Sequence, residues 1–571
     1  MYLRVTKRRN ADGSEARYFQ LAENRWDSAR GCAVAQVLYN FGRAGDAKVE
    51  DLRRLAASIL RVVPSDGAID TREVPGLKMH GALPYGGVYV LRQLWAELGI
   101  DKLLARTMVA KGVRQPFESA LFAMVANRAL APGSKLSCWE RWCEEEVFLP
   151  EAAELKLHHL YRAMDFLEEH KVELEKEIYF ATADLMNADV DLIFYDTTSL
   201  HFEINEEDDV VLVKKKRPYA PLRKRGHSKN GRGDAPQIVI GLAVTRDGLP
   251  VRSWVFQGNT ADITTVEKVK ADLRGWRLGR CVFVGDAGMN SKDNRRTLAL
   301  GTGKYILACK MRDGGEVDKR VLTRAGRYHE VKGNLRVKEV VIGDGERRQR
   351  YVVCHNPEEE KRQQRHRAKV IEELEAELAS MAPPKDGQPS KRAVALRTSG
   401  RYGRYVKQLK DGRLQIDRGV VTEAARYDGK WVITSNDDTL TTEDLALGYK
   451  QLLRVEQCWR TMKSGLRMRP VFHYRPWRIQ AHVSLCVLAL LLERIAEIRT
   501  GETWRNVLRV LDTLKVVDYE RDAVRVLQTT EPRAELAPLL KSLRVAAPRR
   551  IHAVRPAPAE GLDAVPATSD A

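Results

Sequence analysis

Two short apolar runs in this chain each stop at an aspartate, and no other feature constrains its fold as much. Leu192-Ile193-Phe194-Tyr195 ends at Asp196, and Val282-Phe283-Val284-Gly285 ends at Asp286. A strand that is apolar for four residues has its body in the core, which predicts an α/β fold and leaves the terminal carboxylate at the sheet's rim, within reach of a cation. A third acid, Glu456, falls inside a helical pattern. Two strand ends and one helical Glu suit Mg²⁺, which takes hard oxygen ligands and keeps positions open for water and phosphate. Two such ions, roughly 3.5–4 Å apart, clamp the attacking and leaving oxygens of an in-line displacement. Taken singly, each strand-end Asp reads first as a turn or helix cap. Order and context distinguish the two readings.

The segment around Glu456 predicts one continuous helix. Thr441 is its N-cap, with Asp444 three residues on, and Gly465 its stop. Tyr449, Glu456 and Lys463 recur every seven residues, so 3.6 residues per turn sets them along one face. A lone Glu on a helix is usually solvated, whereas Tyr, Glu and Lys in line suit a phosphodiester backbone. Arg460, on the same stretch, is a further candidate DNA contact. The alternative for Lys463 is that it caps the negative end of its helix dipole.

These segments resemble the DDE transposases of bacterial insertion sequences. Tyr449 through Glu456 to Lys463 is similar to their Tyr, Arg, Glu, Lys signature, Asp196-Thr197-Thr198 to their first catalytic block, and Gly285-Asp286-Ala287-Gly288-Met289 to their second. The resemblance extends through Gln237 to Leu242, Asp247-Gly248-Leu249-Pro250 and Gly258-Asn259-Thr260-Ala261-Asp262. One position departs: where the signature has Arg, this chain has Leu452, and Arg454 is the nearest basic residue. The resemblance implies Asp196, Asp286 and Glu456 as catalytic metal ligands for Mg²⁺, two ions, with Mn²⁺ as a substitute. It implies cleavage of double-stranded DNA at terminal inverted repeats and 3′-OH strand transfer into target DNA, by a homodimer in the bacterial cytoplasm at the nucleoid. Other readings are an RNase H-like nuclease or resolvase that cuts without joining, and a non-catalytic DNA-binding derivative.

The coarse pattern agrees with an RNase H-like mixed sheet flanked by helices. Strands are predicted at 190–196, 237–245, 250–257, 280–286 and 304–309, with helices at 262–274 and 291–300, the latter opened by Ser291. The core is thus expected at 188–312 and 436–500. Between these parts, 313–435 reads as an insertion of strands, with turns at Lys332-Gly333-Asn334 and Asp344-Gly345, and a charged helical arm from about Glu358 to Met381. The arm's stripe of Val370, Ile371, Leu374, Leu378 and Met381 either packs on the insertion itself or forms a dimer surface. Pro383 to Gly387 breaks it.

The chain has 571 residues, a net charge of +19 and a pI near 9.5, which implies an anionic partner. The charge is focused in Lys214, Lys215, Lys216, Arg217, Arg223, Lys224, Arg225, Lys229 and Arg232, read as a mobile DNA-binding loop because Pro218, Pro221, Gly226, Gly231 and Gly233 interrupt it. The alternative is a solvated charge run. Residues 1–75 read as a small mixed region, with a hairpin-like start around Asp12-Gly13 and a helix near Val49 to Leu60. Residues 85–187 read as a helical domain that the resemblance assigns to DNA binding, 501–547 as C-terminal helices and 548–571 as a disordered tail. Cys138, Cys143, His158 and His159 lack the close Cys pair of a zinc site, and the scattered cysteines read as reduced thiols. The apolar run Val483 to Leu492 is too short for a bilayer and reads as a buried helix.

Overall fold

A computed structural model describes residues 2–9, 15–27, 31–43, parts of 49–58, 77–186, 191–276 except 230, 281–381 except 313 and 332, and 390–557. It divides into two compact units. The first, Met1–Met79 with Glu520–Val524 and Ala557–Ala571, holds a three-stranded antiparallel sheet of Tyr2–Arg9, Glu15–Asp27 and Cys32–Arg43. The expected N-terminal hairpin is present, with Val5 opposite Phe19, and Cys32–Arg43 adds a strand that the sequence reading did not single out. Of the helix expected near Val49 to Leu60, the described residues, 49–52, 54, 55 and 58, are helical.

The second unit is built on a nine-stranded mixed sheet. Its core strands are β1 (Leu192–His201), β2 (Gln237–Thr245), β3 (Pro250–Gln257), β4 (Val282–Gly285) and β5 (Lys304–Cys309). Helix α1 (Asp262–Asp272) connects β3 to β4, and α2 (Lys292–Ala299) connects β4 to β5. Ser291 caps α2 as expected, accepting from Asn294 N–H at 3.0 Å. The spatial order is β3-β2-β1-β4-β5, with β1, β2 and β3 antiparallel in turn and β1, β4 and β5 parallel. That order and sense define the RNase H-like fold.

Side-chain alternation explains why the central strands read as unbroken apolar runs. Ile193, Tyr195, Phe283 and Leu307 pack on one face with Val266 and Val269 of α1 and Leu298 of α2. Leu192, Phe194, Val284 and Ile306 pack on the other with Leu445, Ala446 and Val455. Both faces are covered, so neither position of the alternation is left to solvent.

The insertion extends this sheet. Strands β6 (His329–Glu330), β7 (Arg336–Ile342) and β8 (Gln349–His355) lead through β9 (Lys430–Ser435) to β5, every pair antiparallel. Helix α3 (Pro357–Ala379) is the charged arm, opened by Asn356 as N-cap and by Pro357. Its Val370, Ile371 and Leu374 bury against Leu396, Tyr405 and Ile416, so the stripe packs on the insertion itself. The break at Pro383 to Gly387 lies outside the described residues.

The helices expected ahead of the core include Gly86–Glu97, Phe117–Leu130, Leu157–Glu169 and Lys171–Met186. The second and third of these pack against α6 (Pro476–Thr500). The apolar run Val483 to Leu492 is therefore the middle of a longer helix than expected, started by Pro476. By length and composition α6 could cross a membrane, but 83% of its apolar window is buried inside the protein. The C-terminal region departs from the expected helices. Trp504–Leu511 and Leu536–Leu543 are helical, but Lys515–Arg521 and Val524–Thr529 form a hairpin. Val516 and Val517 precede and Val524 and Val526 follow Asp522 and Ala523, both at positive φ, which gives a two-residue turn suited to strand twist. Ile551–Pro556 is a strand where a tail was expected; 558–571 lie outside the described residues.

Candidate active site

Asp196 does not end its strand. β1 continues to His201, because Thr197-Thr198-Ser199-Leu200 go on pairing with Gly241 to Ile238 of β2. Its other neighbour stops first. β4 pairs Val282, Phe283 and Val284 with Leu192, Ile193 and Phe194 and ends at Gly285. Carried on by two residues, that parallel register sets Asp286 level with Asp196. The rim position inferred from sequence is real, but it arises from the short neighbour and not from the end of β1. Gly241 belongs to the same arrangement: a Cβ there would lie 2.5 Å from the Tyr195 hydroxyl oxygen.

Asp286 is both a cap and a member of an acid cluster. Its Oδ1 accepts from Gly288 N–H at 3.0 Å, capping the short turn Ala287–Met289. A Cβ at Gly288 would stand 3.2 Å from Asp286 Oδ1 and 3.7 Å from Asp262 Oδ2, so the two carboxylates converge on a space that glycine leaves clear. Burial pushes Asp196 up to about 6, with Lys229 opposing the rise and Asp286 and Asp262 adding to it. Burial likewise raises Asp286, again opposed by Lys229 and reinforced by Asp262. Desolvation and like charge both disfavour ionisation here, as at sites that await a cation.

Lys229 brings a cation to this cluster. Its Nζ lies 2.8 Å from Asp262 Oδ2 and donates to Thr197 O and Oγ1, each at 2.8 Å. Thr197 Oγ1 in turn donates to Asp262 Oδ1 at 2.5 Å. The Lys229 backbone is fixed too, its N–H donating to Ser199 Oγ at 3.0 Å. Sequence reasoning counted Lys229 among DNA contacts and gave Asp262 no role. The Gly258 to Asp262 block was the signal for the latter.

The helix expected from Thr441 to Gly465 is broken. Thr441 caps α4 (Thr442–Lys450), accepting from Asp444 N–H at 3.1 Å. Tight i to i+3 bonds at Gln451 N–H to Gly448 O and Leu452 N–H to Tyr449 O then close the turn, α5 (Leu453–Arg460) follows, and Thr461–Gly465 widens into a π turn. Over- and underwinding break the seven-residue face. Its three members still bear on one site. Burial raises the Tyr449 phenol, and the charges of Asp286, Glu456 and Asp196 raise it further. Lys463 Nζ donates to Thr198 Oγ1 at 2.5 Å; burial lowers its pKa, Arg469 and Lys229 add to that, and Asp196 opposes it. Glu456 is exposed in the first turn of α5, and Arg460 is exposed at its end. Leu452 is buried, and Arg454, exposed, donates to Gln457.

The basic run is not a plain loop and is largely neutralised. Leu212–Lys214 and Arg217–Tyr219 form a small hairpin. Lys214 and Lys215 each sit 3.0 Å from Glu169, and Arg217 lies 3.4 Å from Glu168. Arg223 pairs with Asp208, Lys224 with Asp209 at 2.7 Å, and Arg225 reaches Glu207 at 4.0 Å. The acids Glu206 to Asp209, just ahead of the run, were not weighed against it.

Asp196 and Asp286, set level by the β1–β4 register, with Asp262 facing Asp286 across the space at Gly288, carry the hard-oxygen donors that a divalent cation takes. Among the described residues no three His, Cys, Asp or Glu side chains already stand together at ligating positions.

No curated protein matches the chain. Among solved structures it is similar to a chain of the piggyBac transposase synaptic complex with hairpin DNA, at 10% identity and a TM-score of 0.34, covering 69% of this chain and 70% of that one. That likeness is too distant to transfer any residue or activity. The transposase DDE domain family matches residues 205–492, half of the chain, a span that includes Asp286 and Glu456 and begins after Asp196. With an RNase H-like core and half its length within that family, the chain belongs to the DDE transposases.

Proposed function

We propose that this transposase, of the bacterial insertion-sequence branch, cuts DNA at the ends of a mobile element and joins the freed 3′-OH ends to target DNA. Asp196, Asp286 and Glu456 are assigned as the catalytic carboxylates. The observation that carries the reading is the parallel β1–β4 register, continued to Asp196 and Asp286, because it brings two acids from distant segments to one open rim. These residues would hold Mg²⁺, or Mn²⁺ in its place, as two ions. When bound, the metal supplies charge neutralisation at the phosphate and lowers the pKa of the attacking water or 3′-OH. Asp196 and Asp286 would hold it from the sheet and Glu456 from α5. Tyr449, raised by all three acids, stays protonated and can donate to a phosphate or sugar oxygen. No protein nucleophile is required, unlike recombinases that attack through Tyr or Ser.

Double-stranded DNA is the partner in this reading, taken up by a homodimer, with the helices ahead of the core as the end-binding part. Nicking of an end-containing duplex in Mg²⁺ or Mn²⁺ tests the assignment. Asp196→Ala, Asp286→Ala and Glu456→Ala should each abolish cleavage and leave end binding largely intact. Near wild-type cleavage by any of the three removes that residue from the set. Cleavage without joined product would favour a nuclease or resolvase.

A further inference from the structure

We propose that Lys229 is a built-in counter-cation of the acid cluster, and that a divalent metal ion must compete with it for the negative charge of Asp196 and Asp286. The proposal rests on the assignment of those two acids as metal ligands.

The loop that carries Lys229 is fitted to this place. Lys224 pairs with Gln237 at the start of β2, N–H to O in both directions at 3.1 and 2.9 Å. Gln237 Nε2 donates to His227 O at 3.1 Å and to Gly258 O at 2.8 Å, joining the loop to the segment that opens α1. Gly226 packs so tightly on Gly258 and Asn259 that a Cβ would collide with their backbone. The loop then donates from Lys229 N–H to Ser199 on β1, which delivers the ammonium to Asp262 and to both oxygens of Thr197. Thr197 follows Asp196, and Asp262 faces the same cleared space as Asp286. The ammonium has three donors, and three acceptors meet it.

A solvated phosphate contact would look different, since a Lys that waits for DNA keeps its amine in water. Here Lys229 is spent on the protein, on the residue that follows Asp196 and on the carboxylate that shares a cleared space with Asp286. Two partly buried carboxylates at an open rim repel each other, and one ammonium offsets that repulsion. A dication brought to the same carboxylates meets that positive charge at short range.

The test is Mn²⁺ binding by the full-length protein, followed by electron paramagnetic resonance of the free ion, for wild type, Lys229→Met and Asp196→Asn. Circular dichroism and thermal melts serve as folding controls. Lys229→Met should bind Mn²⁺ about tenfold more tightly than wild type, from loss of one nearby unit charge. Without metal it should melt lower than wild type, and it should gain more in melting temperature when Mn²⁺ is added. Lys229→Arg, which keeps the charge, should bind Mn²⁺ like wild type. Equal or weaker binding by a folded Lys229→Met, with binding lost in Asp196→Asn, overturns the counter-cation and leaves the metal assignment standing. Binding that survives unchanged in Asp196→Asn overturns the metal assignment itself, and the proposal with it.

Discussion

Lys463 donates to Thr198 at 2.5 Å, tying the helical segment that carries Glu456 to the strand that carries Asp196 across 265 residues of sequence. The two catalytic candidates are thus linked through neighbours, Thr198 two residues on from Asp196 along β1 and Lys463 seven residues on from Glu456. A half-buried charged donor on a hydroxyl contributes about 1–2 kcal/mol. Lys463→Met should therefore slow the first nick by about tenfold. Thr198→Val should do much the same, and the double variant should cost no more than either alone. Additive losses in such a cycle would mean that Lys463 acts on DNA and not through Thr198.

Asp196 gives a stability prediction with a definite sign. Its carboxyl titrates near 6 in the folded protein against an ordinary value of 3.8, so folding disfavours its ionised form. The stability cost is absent below the unfolded value, grows as pH rises between about 4 and 6, and is complete above that. Asp196→Asn should raise stability at neutral pH by on the order of 1–3 kcal/mol, and the gain should vanish near pH 4. Urea unfolding at pH 4 and pH 7.5, without divalent metal, measures both. A gain that is equal at the two pH values would trace to something other than charge.

Gly288 should be functionally sensitive and structurally tolerant. It has no positive φ, so Ala brings no backbone strain, but the added methyl would press on Asp286 Oδ1 at 3.2 Å and approach Asp262 Oδ2 at 3.7 Å. Gly288→Ala should shift the Mg²⁺ dependence of nicking to higher concentration while the melting temperature changes by only about a few degrees. Unchanged Mg²⁺ dependence would show that the cleared space is not used.

What the sequence revealed and what it hid have physical causes. β4, α2, β5 and the β2–β3 hairpin were legible because apolar runs, Ser291 and the Asp247-Gly248 turn are local signals. The reach of β1 beyond Asp196 was not, since Thr197, Thr198 and Ser199 are polar and their strand character comes from pairing with β2. β9 looked like part of an insertion because its partners, β5 and β8, are far away in sequence. The break between α4 and α5 was equally hidden, as no Gly or Pro stands at Gln451-Leu452 and Gly448 lies inside the helical pattern. The proposed ligands Asp196, Asp286 and Glu456 stood out by pattern. Asp262 and Lys229 did not, because their roles depend on a loop closing over Ser199 and Gly258, which no periodicity records.

The basic hairpin gives the last prediction. Lys214 and Lys215 both spend their charge on Glu169, and Arg217 faces the buried Glu168, whereas Lys216 is exposed with no ion-pair partner among the described residues. A lysine that already neutralises a carboxylate releases few counterions from DNA, because taking up a phosphate would strand its partner. Only Lys216 is then free to make a full phosphate contact. Lys216→Ala should flatten the slope of log affinity against log salt by up to about 0.9, alike for specific and unrelated duplexes. Lys214→Ala should leave the slope nearly unchanged and instead loosen the hairpin, seen as faster hydrogen exchange over Leu212–Tyr219. Glu169→Gln supplies the converse, freeing two cations and steepening the slope. Equal flattening by Lys214→Ala and Lys216→Ala would show that DNA outcompetes Glu169, and that the hairpin's ion pairs are only its resting state.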